Sequence, residues 1–173
     1  MDVLDAIRTK RAVREFKDKE VPRETIDEIL NAGRRSQSSK NTQPWDFIVI
    51  QDKNRLKQLS ETGQYAGHIA GAAFAVALVM DDPSERFQVL FDIGQAAAYL
   101  QLAAWELGVA SAIASIYEPE QARQILGFPP DKTLRFVLSF GYPKDEEKLL
   151  QPPRRGGRRT FNEVVHWETW QGA

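Results

Sequence analysis

The 173-residue chain contains no cysteine. That absence excludes disulfides, a thiolate nucleophile and any zinc site built on cysteine ligands. Imidazole is nearly as scarce: His68 and His166 are the histidines present, and neither stands in the HExxH or GxSxG setting that marks zinc or serine hydrolases. There is no GxxxxGK[ST] loop to wrap a phosphate and no GxGxxG turn for a dinucleotide. The opening MDVLDAIRTK lacks the apolar core of a signal peptide, and the longest greasy run, IAGAAFAVALVM, is too short to span a bilayer. A surplus of charge is missing too: 23 basic residues face 24 acidic ones, a net charge of −1, whereas general polyanion binders carry a basic excess. These absences lead to the expectation of a soluble, cytoplasmic protein with no nucleic-acid or membrane partner and no resident metal. No side chain stands out as a catalytic acid, base or nucleophile.

What is present is ordinary for a globular chain, with 42% hydrophobic and 27% charged residues. This length suits one domain spanning 1–173, which buries about two-thirds of its unfolded surface. DVLDAIRTKRAV reads as a helix with Asp2 as N-cap and Val3, Leu4 and Ile7 on one face. VPRETIDEILNAG reads as a second, with Pro22 near its first position and Gly33 as its stop. The polar RRSQSSKNTQP is a loop, WDFIVIQ a strand, RLKQLSETG a short helix and AAFAVALVM a buried strand. DDPSERFQVLFDIGQAAAYLQLAAWELG is the longest helix, expected to start at Asp82 and Pro83 with Glu85 in a capping box and to end at Gly108. Its apolar residues lie around most of the circumference, so it needs cover on nearly all sides, and a partner subunit is an economical cover. VASAIASI and LRFVLSFGY are strands on either side of the short helix EPEQARQILG. The pattern is a sheet of about four core strands flanked by helices.

The last segment departs from that pattern. QPPRRGGRRT is an extended connector, after which FNEVVHWETW carries Phe161, Val164, Val165, Trp167 and Trp170. Leaving such groups in water forfeits roughly 1.5–3 kcal/mol each, so residues 151–173 are expected to form an arm that docks.

Positive charge gathers at both ends of the chain. Lys10, Arg11 and Arg14 lie at one, and Arg154, Arg155, Arg158 and Arg159 at the other. Guanidinium forks match the acceptor oxygens of a phosphate monoester, because they donate paired hydrogen bonds. If the arm brings the clusters together they define a small phosphate pocket; the alternative is two separate solvated patches.

Two stretches bear on that choice. KRAVREF at 10–16 resembles the Arg-Arg-Ser-x-Arg-x-Phe signature of the flavin-dependent nitroreductase family. SQSSKNTQPWDFIVI at 36–50 resembles that family's Pro-Ser-x-x-Asn-x-Gln-Pro-Trp-x-Phe motif, which runs into its first long strand. The later order, DIGQAAAYLQLAAWELGVASAIAS, then GFPPDKTLRFVLSFGYP, then an arginine before EVVHW, is similar as well. The resemblance implies an α+β fold: a mixed central sheet of four to five strands in an α/β/α sandwich, with the arm docking across a homodimer. It further implies FMN as cofactor and NADH or NADPH as electron donor. Lys10, Arg11 and Arg14, with the Ala12 backbone, would bind the flavin phosphate, and Arg158 or Arg159 would close that site. Ser38, Ser39 and Asn41, with Arg35, would reach the flavin from the neighbouring subunit. The backbone of AIASI, including Ala114, Ser115 and Ile116, would lie beside the ring.

In such a protein the flavin N5 carries the chemistry, passing hydride to a small, flat, electron-poor acceptor such as a nitroaromatic or quinone. Flavin fragmentation or dehalogenation on the same fold is an alternative, as is a non-catalytic basic-patch protein. Departures from the family pattern also carry expectations. Ala12 stands where serine is usual, Lys10 replaces an arginine, Gln37 replaces a proline, and the span from Met80 to Gly108 leaves little room for roofing helices. An open pocket and weaker cofactor retention are expected.

Overall fold

The computed structural model describes residues 2–84, 86–150 and 157–170. In chain order its helices and strands are α1 (Val3–Thr9), α2 (Arg23–Gly33), β1 (Trp45–Ile50), α3 (Lys53–Ser60), β2 (Phe74–Asp81), α4 (Gln88–Glu106), β3 (Ala110–Ser115), α5 (Pro119–Leu126), β4 (Lys132–Gly141), α6 (Glu147–Leu150) and α7 (Phe161–Val164). Short 3-10 turns occupy Ser39–Asn41 and Gly67–Ile69.

The arrangement follows from β2. Every residue of FAVALVMD except the last is buried, so this strand needs cover on both faces. Its period of two sorts the cover. Phe74, Val76, Leu78 and Met80 pack with Ile26 and Ile29 of α2 and Ile93 and Leu100 of α4. Ala75, Ala77 and Val79 pack with Leu56 and Leu59 of α3, Ala122 of α5 and Phe128. The small residues on the second face let short helices approach closely. The result is the expected α+β sandwich, helices on both sides of one sheet.

The sheet order is β1-β2-β4-β3, and every ladder is antiparallel. A bulge between Leu78 and Val79 passes over Arg135 on β4. The N-terminal chain adds a further extended piece: Ala12 bridges Ser111 in parallel and Phe16 bridges Pro143 antiparallel. The sheet itself is therefore antiparallel rather than the mixed sheet expected, and the parallel contact at Ala12 is an isolated bridge outside its strands.

Several local expectations need correction. α4 starts at Gln88, because the Asp82 carboxylate closes its own turn by accepting from Ser84 N at 2.8 Å. Glu85 lies outside the described residues, as do Arg154 and Arg155. Gly33 is the last residue of α2 rather than its stop, and Arg34 takes the cap. Its lack of a side chain serves packing: a methyl group there would lie 2.5 Å from Leu100 Cγ and Cδ2. Gly108, at φ +72°, does end α4.

One face of α4 is buried through Val89, Ile93, Ala96, Ala97, Leu100 and Ala104. Phe87 at the N-cap of that helix and Leu90, Phe91 and Tyr99 on it remain exposed, together with Val3, Leu4 and Ile7 of α1. The arm is ordered locally by a capping box between Thr160 and Glu163, and His166 stacks on Trp170 at 4.2 Å between centroids. It is not packed away, since Trp167 is 68% and Trp170 79% exposed. Among the described residues no helix is long and apolar enough to cross a membrane.

Gly33→Ala is expected to destabilise the fold by about 1–3 kcal/mol through overpacking against Leu100. Thermal unfolding of the two proteins measures it, and an unchanged melting temperature would mean that α2 and α4 have slack at their crossing.

Candidate functional site

At Lys10 the chain leaves α1 and becomes extended. It then runs beside β3, the edge strand whose outer side is open. Val13 N donates to Ser111 O at 3.0 Å, and Lys17 N to Tyr142 O at 2.8 Å. Val13 and Phe16 seat this segment on Ala72, Ala110 and Trp105, and Trp105 Nε1 donates to Thr9 Oγ1 at 3.0 Å. Backbone pairing and a small apolar anchor thus fix a short cationic stretch on the sheet.

Successive side chains of an extended chain point to opposite sides. Lys10, Ala12 and Arg14 therefore share one side, and Arg11 takes the other. Arg11 lines a groove of about 910 Å³ together with Trp105, Tyr142 and Pro143. Among the described residues, no ion pair engages Lys10, Arg11 or Arg14. Burial pushes the Lys10 ammonium pKa below its ordinary value, a cost that a bound anion would relieve.

Along β3, Ala110, Ala112 and Ala114 are buried, whereas Ile113 and Ser115 are exposed. Beyond Ser111, no described strand or bridge pairs with the outer side of β3. The far end of that rim is closed by residues 62–66. Gly63 lies so close to Ser115 O that a Cβ would collide with it, and Thr62 O accepts from Tyr117 N and Glu118 N. The site is thus a short open stretch of strand edge, with unneutralised cations at one end.

Ser38, Ser39 and Asn41 occupy a different place, on the loop between α2 and β1. Lys40, Asn41 and Gln43 all adopt positive φ there. Ser38 Oγ accepts from Gln43 N at 2.9 Å, and Ser39 N donates to Asp92 Oδ2 of α4 at 3.0 Å. Arg35 is exposed just past α2, and Arg158 and Arg159 are exposed on the arm, where Arg159 donates to Glu163 O. The structure therefore brings Lys10, Arg11, Ala12 and Arg14 to the strand carrying Ala114 and Ser115, with Ile116 just beyond. Within one chain, no hydrogen bond among the described residues joins the loop or the arm to that cluster.

His68, read from sequence as an ordinary loop residue, is buried. Its Nδ1 lies 2.8 Å from Ser139 Oγ, which in turn donates to Ala112 O at 3.4 Å. Burial first, and the Arg14 charge second, lower its pKa from the ordinary 6.5, against an opposing pull from the Ile113 backbone. The imidazole thus lies within the electrostatic reach of the cationic segment. The greasy sequence after it, IAGAAFAV, was the available signal that it enters the core. Among the described residues, no group of three or more His, Cys, Asp or Glu side chains could hold a metal ion.

A lowered folded-state pKa means that the unfolded chain binds the proton first as pH falls. The stabilising contribution of neutral His68 is complete above about pH 6.5 and is lost as pH drops toward the folded value. Urea unfolding between about pH 8 and 5, above the carboxylate range, should show this loss. His68→Gln should flatten the slope; an unaltered slope would remove His68 as its source.

Comparison with known proteins bears on what such an edge is for. The model of the nitroreductase family matches residues 7–64 and 60–142. A protein of Archaeoglobus fulgidus, provisionally named an NADH dehydrogenase/NAD(P)H nitroreductase, is 31% identical over 177 residues, covering 98% of this chain and 99% of its own. An FMN-dependent nitroreductase structure from Clostridium difficile superposes with a TM-score of 0.84 at 26% identity, covering 96% of this chain and 99% of that one. The NADPH:FMN oxidoreductase of Vibrio harveyi, complexed with NAD+, shares the fold with a TM-score of 0.86 at 20% identity, over 99% of this chain and 79% of that one.

Proposed function

Since the chain belongs to the nitroreductase family, we propose that it is a cytoplasmic, homodimeric FMN-dependent oxidoreductase. It would take electrons from NADH or NADPH and deliver them to a flat, electron-poor acceptor such as a nitroaromatic or quinone. The observation that carries this reading is the set of cations Lys10, Arg11 and Arg14, which have no ion-pair partner among the described residues and are held by the Ala12–Ser111 bridge against an open strand rim.

The residues present fit the cofactor. A phosphate monoester is a near-dianion with acceptor oxygens, and the cationic segment offers two guanidinium groups and a desolvated ammonium. Arg14 is the better placed fork, because it shares a side with Lys10, whereas Arg11 faces the groove beside Trp105. The exposed residues Ile113 and Ser115 line the rim on which a flat ring would seat, with Ala114 and Ile116 giving the strand its grip on the core. When bound, FMN supplies the redox chemistry, accepting hydride from the nicotinamide and passing it to the acceptor. The chain's part is to hold, orient and desolvate.

A second copy would complete the site. The exposed apolar residues of α1, α4 and the arm are the surfaces that a second copy would cover. In this reading the α4 face is the seam, and Arg35, Ser38, Ser39 and Asn41 approach the flavin from the partner. The arm crosses over, and Arg158 or Arg159 closes the phosphate site.

Arg14→Ala should weaken FMN binding about tenfold or more, from loss of roughly 1.5–3 kcal/mol of charge-assisted bonding. Fluorescence titration of FMN measures this, and an unchanged dissociation constant removes Arg14 from the site. Deleting Gln151 onward should give monomeric protein that no longer retains flavin. Light scattering and the visible flavin spectrum report the two effects, and a truncated chain that stays dimeric and yellow would refute the crossing arm.

A further inference from the structure

A carboxylate inside a protein needs compensation, because leaving water costs it free energy that hydrogen bonds must return. Asp92 is 2% exposed. It lies on the buried stripe of α4 with Val89, Ile93 and Ala96, and its Oδ2 accepts from Ser39 N at 3.0 Å. The partner is 53 positions away in sequence, at the head of the loop in which Lys40, Asn41 and Gln43 hold positive φ. Non-glycine residues keep such backbone only where their surroundings impose it.

The other restraints on this loop are weaker. The Gln43 N to Ser38 Oγ and Thr42 Oγ1 to Ser39 O bonds are local and exposed, and the Arg86 bond to Thr42 Oγ1, though it spans 44 positions, is exposed as well. Water competes for all of them. Ser36 Oγ is buried beside this turn and finds no partner among the described residues, so it contributes no tether. The Ser39–Asp92 bond is partly buried, long-range and charge-assisted.

We propose that Asp92 is a positioning residue that pins the Ser38–Gln43 loop to α4 in the conformation that presents Ser38, Ser39 and Asn41 to the flavin. The inference rests on the FMN reading above. It also makes flavin affinity depend on α4, the helix whose Leu90, Phe91 and Tyr99 lie exposed. A shift of that helix at the subunit seam is transmitted to the loop through one carboxylate.

The test compares wild type, Asp92→Asn and Asp92→Ala by FMN titration, and follows hydrogen exchange at the Ser39 amide. Asparagine keeps an acceptor oxygen in the same place, whereas alanine removes it. Asp92→Ala should lose FMN affinity by about tenfold and expose the Ser39 amide to exchange. Asp92→Asn should restore both to within about threefold of wild type.

Should Asp92→Ala not fold, Ser39→Pro deletes the same bond from the other side. Ser38 is already extended, at φ −145° and ψ 154°, as a residue before proline must be. Ser39→Ala controls for the lost hydroxyl, and only the proline variant should bind FMN weakly. Unchanged affinity in Asp92→Ala or Ser39→Pro, or unchanged exchange at Ser39 in Asp92→Ala, overturns the proposal. If wild type takes up no FMN, the cofactor reading is what fails, while exchange at Ser39 still reports whether Asp92 holds the loop.

Discussion

The backbone bond from Val13 N to Ser111 O, 3.0 Å long, decides where this protein keeps its positive charge. With the chain's charges nearly balanced, no long-range field gathers anions, and only local geometry can. Freed from β3, Lys10, Arg11 and Arg14 would be a solvated tail following a seven-residue helix, and each cation would lose value to water and salt. Seated on β3, they share a rigid frame with the rim at Ile113 and Ser115. The topology makes this possible by leaving β3 at the edge of the order β1-β2-β4-β3.

Rigidity at that edge comes from elsewhere. β2 is buried on both faces and supports β4, which supports β3. The cost of so much apolar material in the middle is that little remains to cover the outside. α1 and half of α4 present hydrophobic side chains to solvent in the single chain. In the proposed dimer, core and seam would therefore share one helix, whose buried stripe holds the sheet while its other face would meet the second copy.

Much of this was legible from residue order, for reasons that differ by element. The strands announced themselves because FAVALVM leaves no polar face and LRFVLSF keeps one face wholly apolar, and the loop at 34–44 because its polar run ends in proline. The start of α4 was misread because Asp-Pro is a common way to begin a helix, yet here Asp82 spends its carboxylate on Ser84. Gly33 was assigned to helix termination, whereas its neighbour Leu100 lies 67 residues away, beyond any local rule. Asp92 left a faint trace as an isolated carboxylate at the i+3 position from Val89 and i−4 from Ala96, on the stripe that becomes buried. Its partner could not be read at all, since nothing short-range links 92 to 39. The cationic segment was visible, but its attachment to Ser111 depends on strand order, which composition does not encode.

The placement of the tryptophans has an optical consequence. Trp45 is half-buried on β1 and Trp105 is held by Thr9, whereas Trp167 and Trp170 stand in solvent on the arm. Indole emission shifts to the blue when water is removed from around it, so the arm is a built-in spectroscopic gauge of its own surroundings. Any event that covers the arm would be recorded in the colour of the protein's ultraviolet fluorescence without a label.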